Sequence, residues 1–171
     1  MRSSRRSIAL VGLALLAFVA RAPELGAKSE TKKITITGDT LASPIVITEP
    51  TILSRFNVWT GPGTGGTVHG VAWKATEGFV IASSTPVDPA PEGLARYVVT
   101  FLVDRQDRDG HDMAYVIFYE YDARADRGYV YFPGRNDPQW RTNVFLIMRD
   151  LEGRWYPASR AWRDVVTPLI Q

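Results

Sequence analysis

The stretch AYVIFYEY, residues 114–121, decides the fold of this chain. Six of its eight positions are β-branched or aromatic, the composition typical of a β-strand. Three further segments have the same character: 97–103 (YVVTFLV), 129–132 (YVYF) and 143–148 (NVFLIM). The connections between these segments contain Asp109-Gly110, Asp126-Arg127-Gly128 and Pro133-Gly134, which favour turns. The second half of the sequence therefore predicts an antiparallel meander of consecutive strands.

The first of these strands has apolar side chains on both faces, so both sides of the predicted sheet should be covered. One face carries Tyr97, Val99, Phe101 and Val103, and the other carries Val98 and Leu102. The C-terminal segment is the predicted cover. Ser159 suits the N-cap of a helix, Pro168 limits its length, and an apolar stripe follows helical spacing: Trp162, Val165, Val166 and Leu169.

The N-terminal half predicts shorter elements. Segments 32–37 (KKITIT) and 44–48 (PIVIT) are predicted strands, and a short helix over 51–57 follows Pro50, which suits a first helical turn. Segments 68–74 and 79–82 are weaker predicted strands, with a Gly-rich loop at 60–67 and a Pro-rich surface excursion at 83–93. The predicted fold class is mainly β (α+β): an antiparallel, sandwich-like sheet with a short helix after the second strand and another at the C-terminus.

The first residues have the pattern of an export signal. Arg2, Arg5 and Arg6 precede an apolar run over 8–20, and small residues follow. This run of 13 residues is shorter than the roughly 20 needed to span a bilayer as a helix. We therefore predict a signal peptide and leader over 1–27, cleaved near 20–27, and a single β-rich domain over 28–171. The predicted location is periplasmic or secreted, with no stable membrane span after processing. The start of the chain fits export by either the general or the twin-arginine route.

Charge and cysteine content exclude several classes of function. The first 22 residues contain four of the 20 Lys and Arg and none of the 18 Asp and Glu, so the remainder has a formal charge of −2. Nucleic acid is therefore not a predicted partner. The chain has no Cys, which excludes disulfides, thiolate metal sites and Cys nucleophiles. No cofactor is predicted.

Gly61, Gly63 and Gly66 match the spacing of a dinucleotide-binding fingerprint. That motif requires a strand before it and a helix after it, whereas here a short helix precedes and the following residues are not helix-like. The sequence favours a glycine-rich loop.

The charged segment 104–112 raises the question of calcium. With Gly110 in the sixth position of an EF-hand loop, Asp107 and Asp109 are in register, but Arg105 and Val116 occupy the first and twelfth positions. The sequence favours a solvated hairpin loop and leaves a weak set of possible metal ligands: Asp107, Asp109, His111 and Asp112.

A catalytic constellation is not apparent. The two histidines, His69 and His111, both fall in predicted loops, and no Gly-x-Ser-x-Gly or His-Glu-x-x-His motif is present. Glu120 and Asp122 could share one strand face, although such acids more often pair with arginines. A small envelope hydrolase that uses His69 or His111, with or without the assistance of a metal, stays as the alternative function.

Aromatic residues outside the strands give the only predicted ligand-binding residues. Trp140 lies in the loop PGRNDPQWR with Arg135 and Asn136, and Trp59 adjoins the glycine-rich loop. Together they offer stacking surface and polar donors for a small molecule, glycan or envelope protein.

Three segments carry a resemblance to a known family. They are Ile34 to Ile45 (Ile-x-Ile-x-Gly with Leu-x-x-Pro-Ile), Gly128 to Gly134 (Gly-Tyr-x-Tyr-x-Pro-Gly) and Gly153 to Trp162. In these the chain resembles a family of small, uncharacterised exported bacterial proteins. The resemblance implies export and one domain but no activity. We predict a non-enzymatic extracytoplasmic binding module.

Overall fold

The main element of the protein is a six-stranded antiparallel sheet. The computed structural model describes residues 30–68, 70–75, 78–144 and 150–171. The strands of this sheet are β1 (Thr31–Gly38), β2 (Ile45–Ile47), β5 (Arg96–Gln106), β6 (Asp112–Asp122), β7 (Arg127–Phe132) and β8 (Arg154–Pro157), in the order β2-β1-β5-β6-β7-β8. A separate hairpin is formed by β3 (Gly65–Val68) and β4 (Val71–Lys74). The predicted mainly β fold is confirmed.

Short helices join or cover the strands. Helix α1 (Pro50–Leu53) continues into a 3₁₀ turn (Ser54–Phe56), α2 is Trp140–Val144, and α3 is Arg160–Ile170. Both predicted helices, after the second strand and at the C-terminus, are confirmed. Ser159 caps α3, since its side chain accepts a hydrogen bond from the backbone N–H of Trp162 at 3.1 Å. Among the described residues, no helix has the length and apolarity needed to cross a membrane.

The core lies between α3 and one face of the sheet, which we call the core face. Alternate residues of β5 (Tyr97, Val99, Phe101 and Val103) are all buried on this face. Trp162 of α3 is fully buried against them, with ring centroids 5.0 Å from Phe56, 5.7 Å from Phe101 and 6.1 Å from Tyr119. This aromatic cluster joins α3 and the 3₁₀ turn to the sheet.

The predicted apolar stripe of α3 is correct at Trp162 and Val166 and wrong at Leu169. Leu169 is 45% exposed, and Ile170 is buried in its place. The helix continues through Pro168 to Ile170, so the buried positions follow an i, i+4, i+8 spacing.

The predicted strand at 143–148 is wrong at its start. Asn143 and Val144 end α2 instead, and residues 145–149 lie outside the described residues. The neighbour of β7 in the sheet is β8, which the sequence did not predict. Asn143 is fully buried and bonds to the backbone of β6, which explains why this position belongs to a helix packed on the sheet.

The predicted strands at 68–74 and 79–82 also differ from the structure. The first covers the end of β3, a turn at Gly70 (φ +79°) and β4, and β3 itself begins at Gly65, inside the predicted glycine-rich loop. The second is reduced to a single bridge between Ile81 and Ala158, because Phe79 has a positive φ of 58° and ends the extended backbone. The predicted signal peptide and leader (1–27) and His69 lie outside the described residues.

Candidate functional site

The predicted ligand-binding loop is ordered by its own aspartate. Asp137 Oδ2 accepts hydrogen bonds from the Tyr131 hydroxyl at 2.8 Å and from the Gly134 N–H at 2.7 Å. Burial, followed by this bond to Asp137, raises the pKa of Tyr131. Arg135 and Asn136 are exposed on the loop, and Trp140 is half-buried at the start of α2.

Trp59 does not contribute to a site with this loop. It packs against the core, and the guanidinium carbon of Arg105 lies 5.9 Å from its ring centroid. A groove of about 920 Å³, described below, is lined by none of Arg135, Asn136, Trp140 and Trp59. The structure therefore gives no convergence of the four residues that the sequence suggested.

The predicted weak metal ligands form the β5–β6 turn. Asp107, Asp109 and His111 place ligand atoms within 4.8 Å of one another, all on exposed residues, whereas Asp112 begins β6 outside this group. Asp107 Oδ1 accepts from the N–H groups of Asp109 and His111, both at 2.9 Å, and Oδ2 lies 3.3 Å from His111 Nδ1. The N–H of His111 is the main cause that lowers the pKa of Asp107. These contacts are those of a side chain that closes its own turn.

The face of the sheet opposite the core, which we call the outer face, carries a row of aromatic rings. Phe118, Tyr131 and Trp155 are cross-strand neighbours on β6, β7 and β8. The rings of Phe118 and Tyr131 stack at 5.9 Å with an interplanar angle of 7°, and Tyr131 and Trp155 are 5.1 Å apart. We call these three residues the aromatic row.

Arg96 lies over the aromatic row. Its guanidinium carbon is 5.4 Å from the ring centroid of Phe118 and 5.7 Å from that of Trp155. Its Nε donates to Oε1 of the buried Glu120 at 2.7 Å. Glu120 is therefore committed to an ion pair with Arg96, while Asp122 accepts from the backbone N–H groups of Arg124 and Ala125 in the next turn. The two carboxylates do not form a catalytic pair.

Next to this row lies a groove with a volume of about 920 Å³. One wall is the Pro-rich segment 86–91, and the other is formed by the ends of β7, β8 and α3. Its lining residues are Pro86, Val87, Asp88, Pro89, Pro91, Asp126, Arg127, Gly128, Tyr129, Pro157, Ala158 and Arg163. We call it the outer groove. Its volume lies at the upper end of the roughly 300–1,000 Å³ typical of ligand sites.

Cross-strand register places the outer groove beside the aromatic row. Tyr129 pairs with Glu120 on one side and with Pro157 on the other. Tyr129 and Pro157 lie two residues from Tyr131 and Trp155 along their strands, and therefore on the same face of the sheet. The floor at Gly128 has no room for a side chain, since a Cβ there would lie 2.8 Å from the Ala158 Cβ and 2.8 Å from the Tyr119 hydroxyl. The close approach of β7 to Ala158 and to the Tyr119 ring thus depends on this glycine.

Three polar groups of the outer groove are available for a ligand. The Arg127 guanidinium, the Asp88 carboxylate and the Tyr129 hydroxyl have no hydrogen bond or ion pair within 30–68, 70–75, 78–144 and 150–171. Arg127 and Asp88 are exposed and Tyr129 is half-buried. The groove therefore combines a donor, an acceptor and a group that can act as either.

At one end of the outer groove a polar network ties the β6–β7 turn to α3. Asp126 Oδ1 accepts from the Tyr121 hydroxyl at 2.8 Å and from Arg163 Nη1 at 2.9 Å, and Nη1 also reaches the Asp126 carbonyl at 2.7 Å. Asp126 has a positive φ of 49°, which aspartate tolerates better than most residues. The Tyr121 hydroxyl first, and then Arg163, hold the pKa of Asp126 below its ordinary value.

We expect Tyr121→Phe to destabilise the protein in a pH-dependent way. A carboxyl group whose folded pKa is lowered contributes stability above its unfolded pKa, and this contribution is lost as the pH falls through the folded pKa. The difference from wild type should therefore be present at neutral pH and be lost as the pH falls below about 3.9, the ordinary aspartate pKa, through the lowered folded pKa of Asp126. Denaturant unfolding across pH measures it, with Tyr129→Phe as the matched control. A constant difference at every pH would contradict the assignment to Asp126.

The sequence missed the groove for a physical reason. Its walls come from three distant segments, 86–91, 126–129 and 157–163, and no local pattern joins them. The available signals were indirect: a Pro-rich excursion and a turn ending in Gly128.

No protein-family model, no curated protein and no solved structure matches this chain.

Proposed function

We propose that the protein is a non-enzymatic extracytoplasmic binding module whose ligand occupies the outer groove. The observation that carries the proposal is the groove itself, where Arg127, Asp88 and the Tyr129 hydroxyl keep free hydrogen-bonding capacity. A concave surface with a few convergent polar groups is the usual form of a small-ligand site.

Binding is favoured over catalysis by the commitments of the titratable groups. Asp107 closes a turn, Glu120 is paired with Arg96, and Asp126 is held by Tyr121 and Arg163. A general acid or base needs a proton-accepting or proton-donating atom within reach of a substrate. These three carboxylates are already occupied by structural partners. The free Asp88 carboxylate has no Ser, Thr, Lys or His beside it in the groove lining, which supports a site that holds its ligand without reacting with it.

The extracytoplasmic part of the proposal comes from the sequence. The basic start and the apolar run over 8–20 support export. Mass spectrometry of protein secreted by a bacterial host tests it, with cleavage near residues 20–27 as the expected result. Mature protein that still contains residues 8–20 would contradict it.

The binding site is tested by nuclear magnetic resonance with a library of small polar molecules. We expect backbone amide shifts confined to residues 126–129 and to Val87, Asp88 and Ala90, which carry the N–H groups of the Pro-rich wall, and weakened in Arg127→Ala. Arg124→Ala is the matched control, because Arg124 is an exposed arginine of the same turn that does not line the groove. Shifts that centre on 133–140 would show instead that the ligand binds the loop before Trp140. If neither the groove nor this loop shows shifts, the proposal is contradicted.

A further inference from the structure

We infer that the ligand of the outer groove is a neutral saccharide, an inference that rests on the binding function proposed above. Three observations carry it: the charge balance of the lining, the combination of ring and polar groups, and the state of the neighbouring strand edge.

The charges that line the groove cancel. Arg163 is paired with Asp126, which leaves one cation, Arg127, and one anion, Asp88. Arg96 at the neighbouring position of the outer face is likewise neutralised by Glu120. An anionic ligand would gain one contact with Arg127 and meet the carboxylates of Asp88 and Asp126, so the balance favours an uncharged ligand.

The polar and apolar groups suit a sugar ring. Hydroxyl groups both donate and accept, so one sugar can bond the Arg127 guanidinium, the Asp88 carboxylate and the Tyr129 hydroxyl. The C–H face of a sugar is apolar and packs on aromatic and proline surfaces, here Tyr129 and Pro157. A purely apolar ligand would desolvate the charged lining without replacing its hydrogen bonds.

The strand edge disfavours an extended peptide. Peptides that bind at a sheet edge obtain their affinity from backbone hydrogen bonds to the edge strand. On β8, the carbonyls of Trp155 and Pro157 already accept from the N–H groups of Val87 and Ala82, at 2.9 Å each. The chain itself occupies these positions, so a ligand of the groove binds through side chains.

The test is a nuclear magnetic resonance titration of the mature protein with neutral trisaccharides built from glucose, mannose and N-acetylglucosamine. A galacturonic acid trimer serves as the anionic probe and a proline-rich decapeptide as the peptide probe. We expect at least one neutral trisaccharide to shift the amides of 86–91 and 126–129. Tyr129→Ala should weaken this binding by at least about tenfold, and Tyr129→Phe, which keeps the ring, by less.

Variants of exposed groups keep the test independent of folding. Asp88→Asn and Arg127→Gln replace residues without structural partners and should each weaken saccharide binding several-fold, whereas Arg124→Gln should not. If only the acidic trimer or the peptide shifts the groove amides, the saccharide inference is overturned and the binding function stands. If no probe in this set or in the polar library shifts them, both are overturned.

Discussion

Replacing Trp162 with alanine is expected to lower the free energy of unfolding by about 3–5 kcal/mol, the range for a fully buried aromatic residue. Trp162 is fully buried and contacts the rings of Phe56, Phe101 and Tyr119. These rings come from the 3₁₀ turn, β5 and β6, so one side chain fixes α3 to the 3₁₀ turn and to two strands of the sheet. The substitution leaves a cavity that packed neighbours cannot close.

Denaturant unfolding measures this loss, and Leu169→Ala is the control on the same helix. Leu169 is 45% exposed, so its truncation should change stability by less than about 1 kcal/mol. Both substitutions introduce alanine, the best helix former, so a loss of stability reports lost packing. Equal losses for the two variants would contradict the role given to Trp162.

The second large effect is expected at Asn143. Its side-chain amide donates to the Val116 carbonyl and accepts from the Val116 N–H, both at 2.7 Å, on a stretch of β6 beyond its pairing with β7. The amide thus takes the place of a neighbouring strand. Asn143→Leu leaves two buried backbone groups without partners, and each unsatisfied group costs about 1–3 kcal/mol. We expect a loss of roughly 2–5 kcal/mol in the free energy of unfolding.

Asn143→Asp separates hydrogen bonding from packing. The carboxylate keeps the shape but cannot donate to the Val116 carbonyl, whereas a protonated carboxyl group can. Burial raises the folded pKa of such a group, so the stability of this variant relative to wild type should fall as the pH rises through that pKa. Asn136→Asp on the exposed loop is the matched control. A loss independent of pH would show that Asn143 acts by packing alone.

Much of the sheet could be predicted because its strands are long and patterned. In β5, β6 and β7, β-branched and aromatic residues define the strands, and Asp and Gly define the turns between them. β8 has four residues, RWYP, and is extended because Trp155 and Tyr156 pair with Tyr131 and Val130. Such a strand depends on its partner across the sheet, which a local pattern does not contain.

The strand predicted from Asn143 onward, where the structure has the end of α2, is the opposite error, and it too arises from a contact distant in sequence. An apolar segment following Asn143 has the composition of a strand, but the polar side chain at its start is required by β6, 27 positions earlier in the chain. The ligand residues suggested by the sequence combine Trp with polar donors in one local segment or beside a loop. The outer groove depends instead on Asp88 and Tyr129, which are brought together only by the fold.

The segment that forms the proline wall of the groove has a second consequence. Val87 of this segment pairs with Trp155 of β8 and so covers the edge of the sheet, which would otherwise be able to recruit strands from other molecules. Shortening this segment would therefore promote polymerisation as well as altering the groove. A ligand that holds segment 86–91 in place would oppose this polymerisation. An occupied groove should therefore slow fibril formation under mildly destabilising conditions.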